Sequence, residues 1–337
     1  MAGIAEQNPI SIDLSPTAAT YNFALDIVII SIILSALALG ISRAIGSRKL
    51  WAWGSEELAQ SVINAAMLGV LVAFTSAISA LLAVSLPHDV LSSCPISGQP
   101  ANAPLAYDGC IIGNAIEKIG KMQPGLAENS FKLGMLSKMN INATALWAAP
   151  FDAMANTSEQ YSKWAGELAG LQTFFEVQKQ FLAIIGAYAF ALFLPAGLIL
   201  RMFFATRRLG GTIIAGSIGF FVIYPLVFAA IADNKTIEAS FQAAISPLNS
   251  LGSALSPLGS LDWEKPDAIA KTVLELAGKN ISSHAAALYI AMPQFLAALS
   301  IHAAIYPLIS LAVTLVCIAE LSAIFGKEFV FDLVKEA

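Results

Sequence analysis

The chain has 337 residues, of which 57% are hydrophobic and only 12% charged, against roughly a quarter charged in an average soluble domain. This balance excludes intrinsic disorder and a disulfide-knot scaffold and argues against a soluble fold. A net charge of -5 leaves no global basic field, so any contact with nucleic acid would have to be local. The apolar residues gather into runs close to the roughly 20 that cross a bilayer, which predicts an all-α, multi-pass helical membrane protein.

Residues 1–21 carry Glu6 and Asp13 but no Lys or Arg, and no small-residue cleavage site follows, so they read as a polar extracytoplasmic N-terminus that is not cleaved. The first span is 22–42, with Asp26 near its start and Arg43, Arg48 and Lys49 after its end. A cytoplasmic loop over 43–60 leads to a second span, 61–86, which has no ionisable residue and is preceded by Trp51 and Trp53 as interfacial aromatics. Residues 87–180 are too long for a plain loop. They are expected to form an extracytoplasmic helical domain, with amphipathic pieces from Gly109, from Ser130 and from Ser158, punctuated at Pro124, Gly125 and Pro150.

The third span, 181–204, and the fourth, 212–231, are joined by a short cytoplasmic turn, 205–211, of sequence RRLGG at its end. Pro195 and Pro225 each remove a backbone donor from a span, so both helices of this hairpin are predicted to kink. A second extracytoplasmic segment, 232–284, contains the echo SPLNSL and SPLGSL, ten residues apart, read as two brief apolar turns. The last apolar stretch is divided into an outer or re-entrant helix at 285–299, broken near Pro293, and a fifth span at 300–326 before the tail 327–337. Six crossings are the alternative.

Orientation follows from the arginines, because basic residues flanking spans stay in the cytoplasm. All five lie in two places, Arg43 and Arg48 in one and Arg201, Arg207 and Arg208 in the other. The long segments and the N-terminus then fall outside, and five crossings put the C-terminus in the cytoplasm of a plasma-membrane protein. The four Asn-x-Ser/Thr tripeptides, at Asn142, Asn156, Asn234 and Asn280, all lie in segments assigned to the exterior and are candidate glycan acceptors. Cys94 and Cys110 fall in the first outer segment while Cys317 lies within a span, so a Cys94–Cys110 disulfide is the economical pairing. The alternative is two free thiols.

Charged groups in hydrocarbon are costly and usually face protein, a partner or water. Arg201 lies six residues before Arg207 and Glu320 seven before Lys327. Both therefore sit roughly 9 to 10 Å inside the cytoplasmic ends of their helices, and an intramembrane Arg201–Glu320 ion pair is predicted. The histidines His88, His284 and His302 show no metal-ligand spacing with the cysteines. No P-loop, dinucleotide fingerprint, HExxH or GxSxG is present. The sequence thus calls for no catalytic residue, metal or cofactor, and the protein reads as a non-enzyme.

The stretch LPAGLILRMFFATRRLGGTIIAGSIGFFVIYP from Leu194 to Pro225, with AELSAIFGKEF from Ala319 to Phe329, resembles archaeal multi-pass proteins of the CedA/TrbL-like group, the polytopic membrane subunits of conjugation and type IV secretion-like DNA-transfer machines. The resemblance covers the C-terminal membrane half. It implies a channel-forming or scaffolding homo-oligomer beside a secretion-type ATPase and pilus subunits, with single-stranded DNA in transit. Arg201, Arg207, Arg208, Gly210 and Gly211 are then the matching positions at the cytoplasmic mouth, where basic charge could meet phosphates. The positive-inside rule explains the same arginines without DNA. Two other classes remain open: a small-solute or ion transporter using the kinked hairpin, and a structural membrane protein of a cell envelope or virus.

Overall fold

The structure is a computed structural model and describes residues 18–85, 103–138, 141–143, 146–148, 151–202, 206–232, 234–261 and 265–325. The described chain is helical apart from one antiparallel pair of three-residue strands, β1 (Ile141–Ala143) and β2 (Leu146–Ala148), with Asn142 opposite Trp147. The described residues of 1–109, 180–231 and 308–337 form one compact unit, and those of 110–179 and 232–307 a second. Three helical runs are long and apolar enough to cross a membrane among the described residues: Leu25–Ile45, Arg207–Ile231 and Ile281–Phe325.

In the first unit, α1 (Ala18–Ile45) and α2 (Arg48–Ser85) form a helical hairpin. Gly46 adopts φ 71° and the Ser47 N–H donates to the Ser42 carbonyl at 3.1 Å, a left-handed glycine cap that closes the last turn and reverses the chain. The expected loop 43–60 is therefore helix, save for Gly46 and Ser47. The turn sets the register: Ser31 and Ser61 share a buried hydrogen bond of 2.5 Å, and Leu39 packs on Gly54. The α1 surface is inside out relative to a soluble helix. Ser31, Ser35 and Ser42 are buried, while Leu25, Ile29, Ile33, Leu34, Leu37 and Ile41 are exposed.

The second unit gathers α3 (Ala103–Ser137, from Cys110 onward), α4 (Met154–Tyr188, up to Lys179), α8 (Asn234–Ala254), α9 (Pro266–Ala277) and α10 (Ile281–Ser300). Its core is apolar, with Ile119, Met122, Leu126, Leu133, Leu168, Leu251, Leu288 and Phe295 all completely buried. Polar cross-links fix the registers. Ser130 and Ser158 each donate to the other's backbone carbonyl, at 2.7 and 2.8 Å, the Asn129 amide donates to the Leu248 carbonyl at 3.2 Å, and Lys118 pairs with Glu238 at 2.6 Å. That ion pair and the Gln242 amide hold the Glu238 carboxyl below its ordinary pKa. Two expectations are corrected here. The pieces separated at Pro124 are one continuous helix, α3, and the first copy of the echo lies inside α8 while the second forms a 3-10 turn, Ser256–Ser260.

The run from Ile281 is likewise unbroken at Pro293 and continues through a π-helical turn, Ile301–Ile305, into α11 (Tyr306–Phe325). Two further π-turns interrupt apolar helices. Ala189–Phe193 joins α4 to α5 (Leu194–Met202), and Gly219–Ile223 joins α6 (Arg207–Ile218) to α7 (Tyr224–Ile231). All three share one construction. The residue just before a proline, Leu194, Tyr224 or Tyr306, donates its N–H to the carbonyl five positions back. The prolines are Pro195, Pro225 and Pro307.

Burial separates two of these prolines, Pro225 and Pro307, from the ones that leave an α-helix unbroken. A proline deprives the carbonyl four residues earlier of its donor. For Pro124, Pro247 and Pro293 that residue is Gly120, Ala243 or Tyr289, all exposed, so water can take the donor's place. For Pro225 and Pro307 it is Phe221 or Ala303, both buried, and the turn widens instead. At Ala303 the carbonyl regains a donor, the buried Gln178 side-chain amide. Gln178→Leu should therefore cost about 1–3 kcal/mol, the penalty of an unsatisfied buried polar group, read as a lowered thermal midpoint of the purified protein in one fixed detergent.

Candidate functional site at the hairpin turn

The RRLGG sequence opens α6, and its glycines are there for close approach. A Cβ on Gly210 would stand 2.5 Å from both the Arg201 nitrogen and the Gly197 carbonyl oxygen, and one on Gly197 would stand 2.8 Å from the Ile214 side chain. So α5 and α6 cross with backbone on backbone, which only residues without a side chain allow. Gly211 is buried beside it. Next to the crossing, Leu194, Leu198, Ile214 and Ile218 form a cluster against which Leu321 and Phe325 of α11 pack.

This tight crossing carries the charged groups inward. Arg201 and Arg207 are each only 2% exposed, and Arg207 lies within electrostatic reach of Arg201. The Arg207 guanidinium donates to a Glu57 carboxylate oxygen at 2.8 Å, with Glu56 at 3.7 Å. Both acids stand in the early turns of α2. Burial lifts the Glu57 carboxyl above its ordinary pKa, and the Arg207 charge offsets this only in part. The sequence reading missed both acids, although two adjacent glutamates just before a wholly uncharged span were a readable sign of a partner nearby.

Of the matching positions, Arg201, Arg207, Gly210 and Gly211 are buried, and Arg208 is exposed. Phosphate could reach Arg208, whereas the Arg207 charge is already engaged by carboxylates.

The predicted Arg201–Glu320 pair is not formed. Ile318, Leu321, Ser322 and Phe325 face the hairpin, through Gly219, the apolar cluster and a 3.2 Å hydroxyl contact between Ser322 and Thr212. Glu320 is two residues from Ile318 and from Ser322, about 200° around the helix from each, and it is exposed on the far side. Equal depth in the sequence did not imply a shared face.

Cys110 is disulfide-bonded and Cys317 holds a free thiol; Cys94 lies outside the described residues. Asn156 and Asn280 are exposed, and Asn142 lies in β1. Asn234 is buried, with its side-chain oxygen unpartnered, a poorer position for a glycan than the exposed Asn156 and Asn280. His302 packs inside its π-turn, with Nδ1 2.8 Å from the Ala298 carbonyl and its ring against Tyr306. Among the described residues no three His, Cys, Asp or Glu side chains gather as metal ligands.

What the hairpin site can do chemically is hold α5, α6 and the start of α2 together through close backbone contact and the Arg207–Glu57 ion pair, presenting one accessible arginine beside exposed Leu209. No family model matches the chain, and no curated protein or solved structure is significantly similar to it.

Proposed function

We propose that this protein is a non-enzymatic channel or scaffold subunit of an oligomeric secretion or DNA-transfer assembly, crossing the plasma membrane five times with its C-terminus in the cytoplasm. The observation that carries the membrane part is the inverted α1 surface, serines inside and branched aliphatics outside, which is stable only where the surroundings are apolar. The single helical course from Ile281 to Phe325 supports five crossings over six, since a continuous helix does not reverse direction. The DNA-transfer part rests on the sequence resemblance at Leu194–Pro225 and Ala319–Phe329. Its partners would be further copies of this chain, a secretion-type ATPase, pilus subunits and single-stranded DNA.

The test follows from the burial of the other arginines. Arg208→Glu should reduce DNA transfer at least tenfold at unchanged membrane abundance, and the solubilised protein should run as a large oligomer. Unimpaired transfer would remove the phosphate role, and a monomer would remove the scaffold. A small-solute or ion transporter is the second reading, favoured by the three π-turns, because non-α backbone in apolar helices frees carbonyls that can line a polar path. A monomer or dimer stabilised by one solute would favour it.

A further inference from the structure

Asp108 stands apart from every other carboxyl among the described residues. It is completely buried, and neither carboxyl oxygen has a hydrogen-bond partner. It sits early in α3, flanked by the buried Tyr107 and Ile111, and within electrostatic reach of Tyr224, the residue that closes the π-turn before Pro225. Among the described residues no lysine, arginine or histidine contributes to its electrostatics, and burial alone holds its carboxyl well above the usual range. A buried ionised carboxylate without a counter-charge is prohibitively costly, and such a group takes up a proton instead. Among the described residues no group of three His, Cys, Asp or Glu side chains gathers around it as metal ligands.

We propose that Asp108 is a proton-binding site whose occupancy controls the docking of the first turns of α3: the packed state holds the carboxyl neutral beside Tyr224, and loss of the proton requires those turns to open. This goes beyond the scaffold reading and does not depend on it. The sign follows from linkage. The opened state ionises near the ordinary aspartate value of about 3.9 while the packed state stays protonated, so opening releases one proton. Above that value the opening equilibrium rises about tenfold for each pH unit until the packed carboxyl itself ionises. Low pH closes the device and high pH loosens it.

The experiment is hydrogen exchange on the full-length protein in lipid nanodiscs, following the amides of 103–112 from about pH 5 to about pH 8, corrected for the intrinsic pH dependence of exchange. The opening constant should rise with pH in the unaltered protein, by up to about tenfold per unit, and stay flat in Asp108→Asn. Parallel profiles in the two proteins would overturn the proposal. If Asp108→Asn does not fold, Asp108→Leu serves in its place. Independently, the infrared difference between the unaltered protein and either variant at neutral pH should contain the C=O stretch of a protonated carboxyl. Carboxylate bands there instead would overturn it as well.

Discussion

Alanine at Gly210 should be among the most damaging single-methyl changes in this protein. The added carbon meets main-chain atoms, the Arg201 nitrogen and the Gly197 oxygen at 2.5 Å and the Arg201 Cα at 2.9 Å, and main chain cannot swing aside as a side chain can. Relief requires α5 and α6 to separate, which strips contact from the Leu194, Leu198, Ile214 and Ile218 cluster and from the α11 residues packed on it. Overpacking of this kind costs about 1–3 kcal/mol and occasionally more. The helix-propensity gain of about 0.5–1 kcal/mol for replacing glycine by alanine does not recover it. Gly216, six residues on, has nothing within 4 Å of its Cβ position, so Gly216→Ala should be neutral or slightly stabilising by the same gain. Thermal denaturation of both variants in one detergent is the comparison. Equal midpoints would mean that α5 and α6 do not cross as closely as this.

The second large effect concerns the Glu57–Arg207 pair. Removing one partner of a buried ion pair typically costs about 3–5 kcal/mol, because the other charge stays in a low-dielectric site. Glu57→Leu should fall in that range, leaving Arg207 with Glu56 at 3.7 Å. Burial holds the Glu57 carboxyl above its ordinary range despite Arg207, and in a buried pair the cost of desolvating both charges offsets much of their attraction even though breaking the pair is costly. The double change Glu57→Leu with Arg207→Met should accordingly recover most of the loss, because replacing both partners with apolar groups removes both desolvation penalties. Glu56→Gln, at a half-exposed side chain, should shift the midpoint little. A double-mutant cycle on folded protein measures all of these, and a double variant no better than Glu57→Leu alone would reject the pair as the reason for the loss.

These two sites also decide how the hairpin arginines are to be read. A basic turn next to an apolar span satisfies the positive-inside rule and a phosphate-binding mouth equally well in sequence. Burial of Arg201 and Arg207, with carboxylates from α2 on the second of them, confines any role at a phosphate to Arg208. Within Leu194–Pro225 the charged positions Arg201 and Arg207 mostly serve the packing of the hairpin.

Much of the architecture was legible from the residues because it depends on local composition. Long apolar runs predict helices, and the uncharged and singly charged stretches predict apolar faces, as α1 bears out in its outward Leu and Ile side chains. A missing N–H is a property of the residue itself, so Pro195 and Pro225 drew attention to the segments in which the structure has π-turns, Ala189–Phe193 and Gly219–Ile223. Pro307 was passed over, although Ile305-Tyr306-Pro307-Leu308 repeats Ile223-Tyr224-Pro225-Leu226 letter for letter and both follow a π-turn. Whether a proline widens its turn depends on what surrounds the carbonyl four residues back, and that is a fact of packing. The same holds for Glu320, where about half a turn around the helix separates it from positions that face the hairpin, and for Glu57 and Arg207, 150 positions apart. Local chemistry, carried by each residue and its near neighbours, determined the helices, their apolarity and their irregular points. Which faces meet, which charges find partners and which carboxyl is buried without a hydrogen-bond partner depend on atoms distant in the chain, and only the tertiary structure decided them.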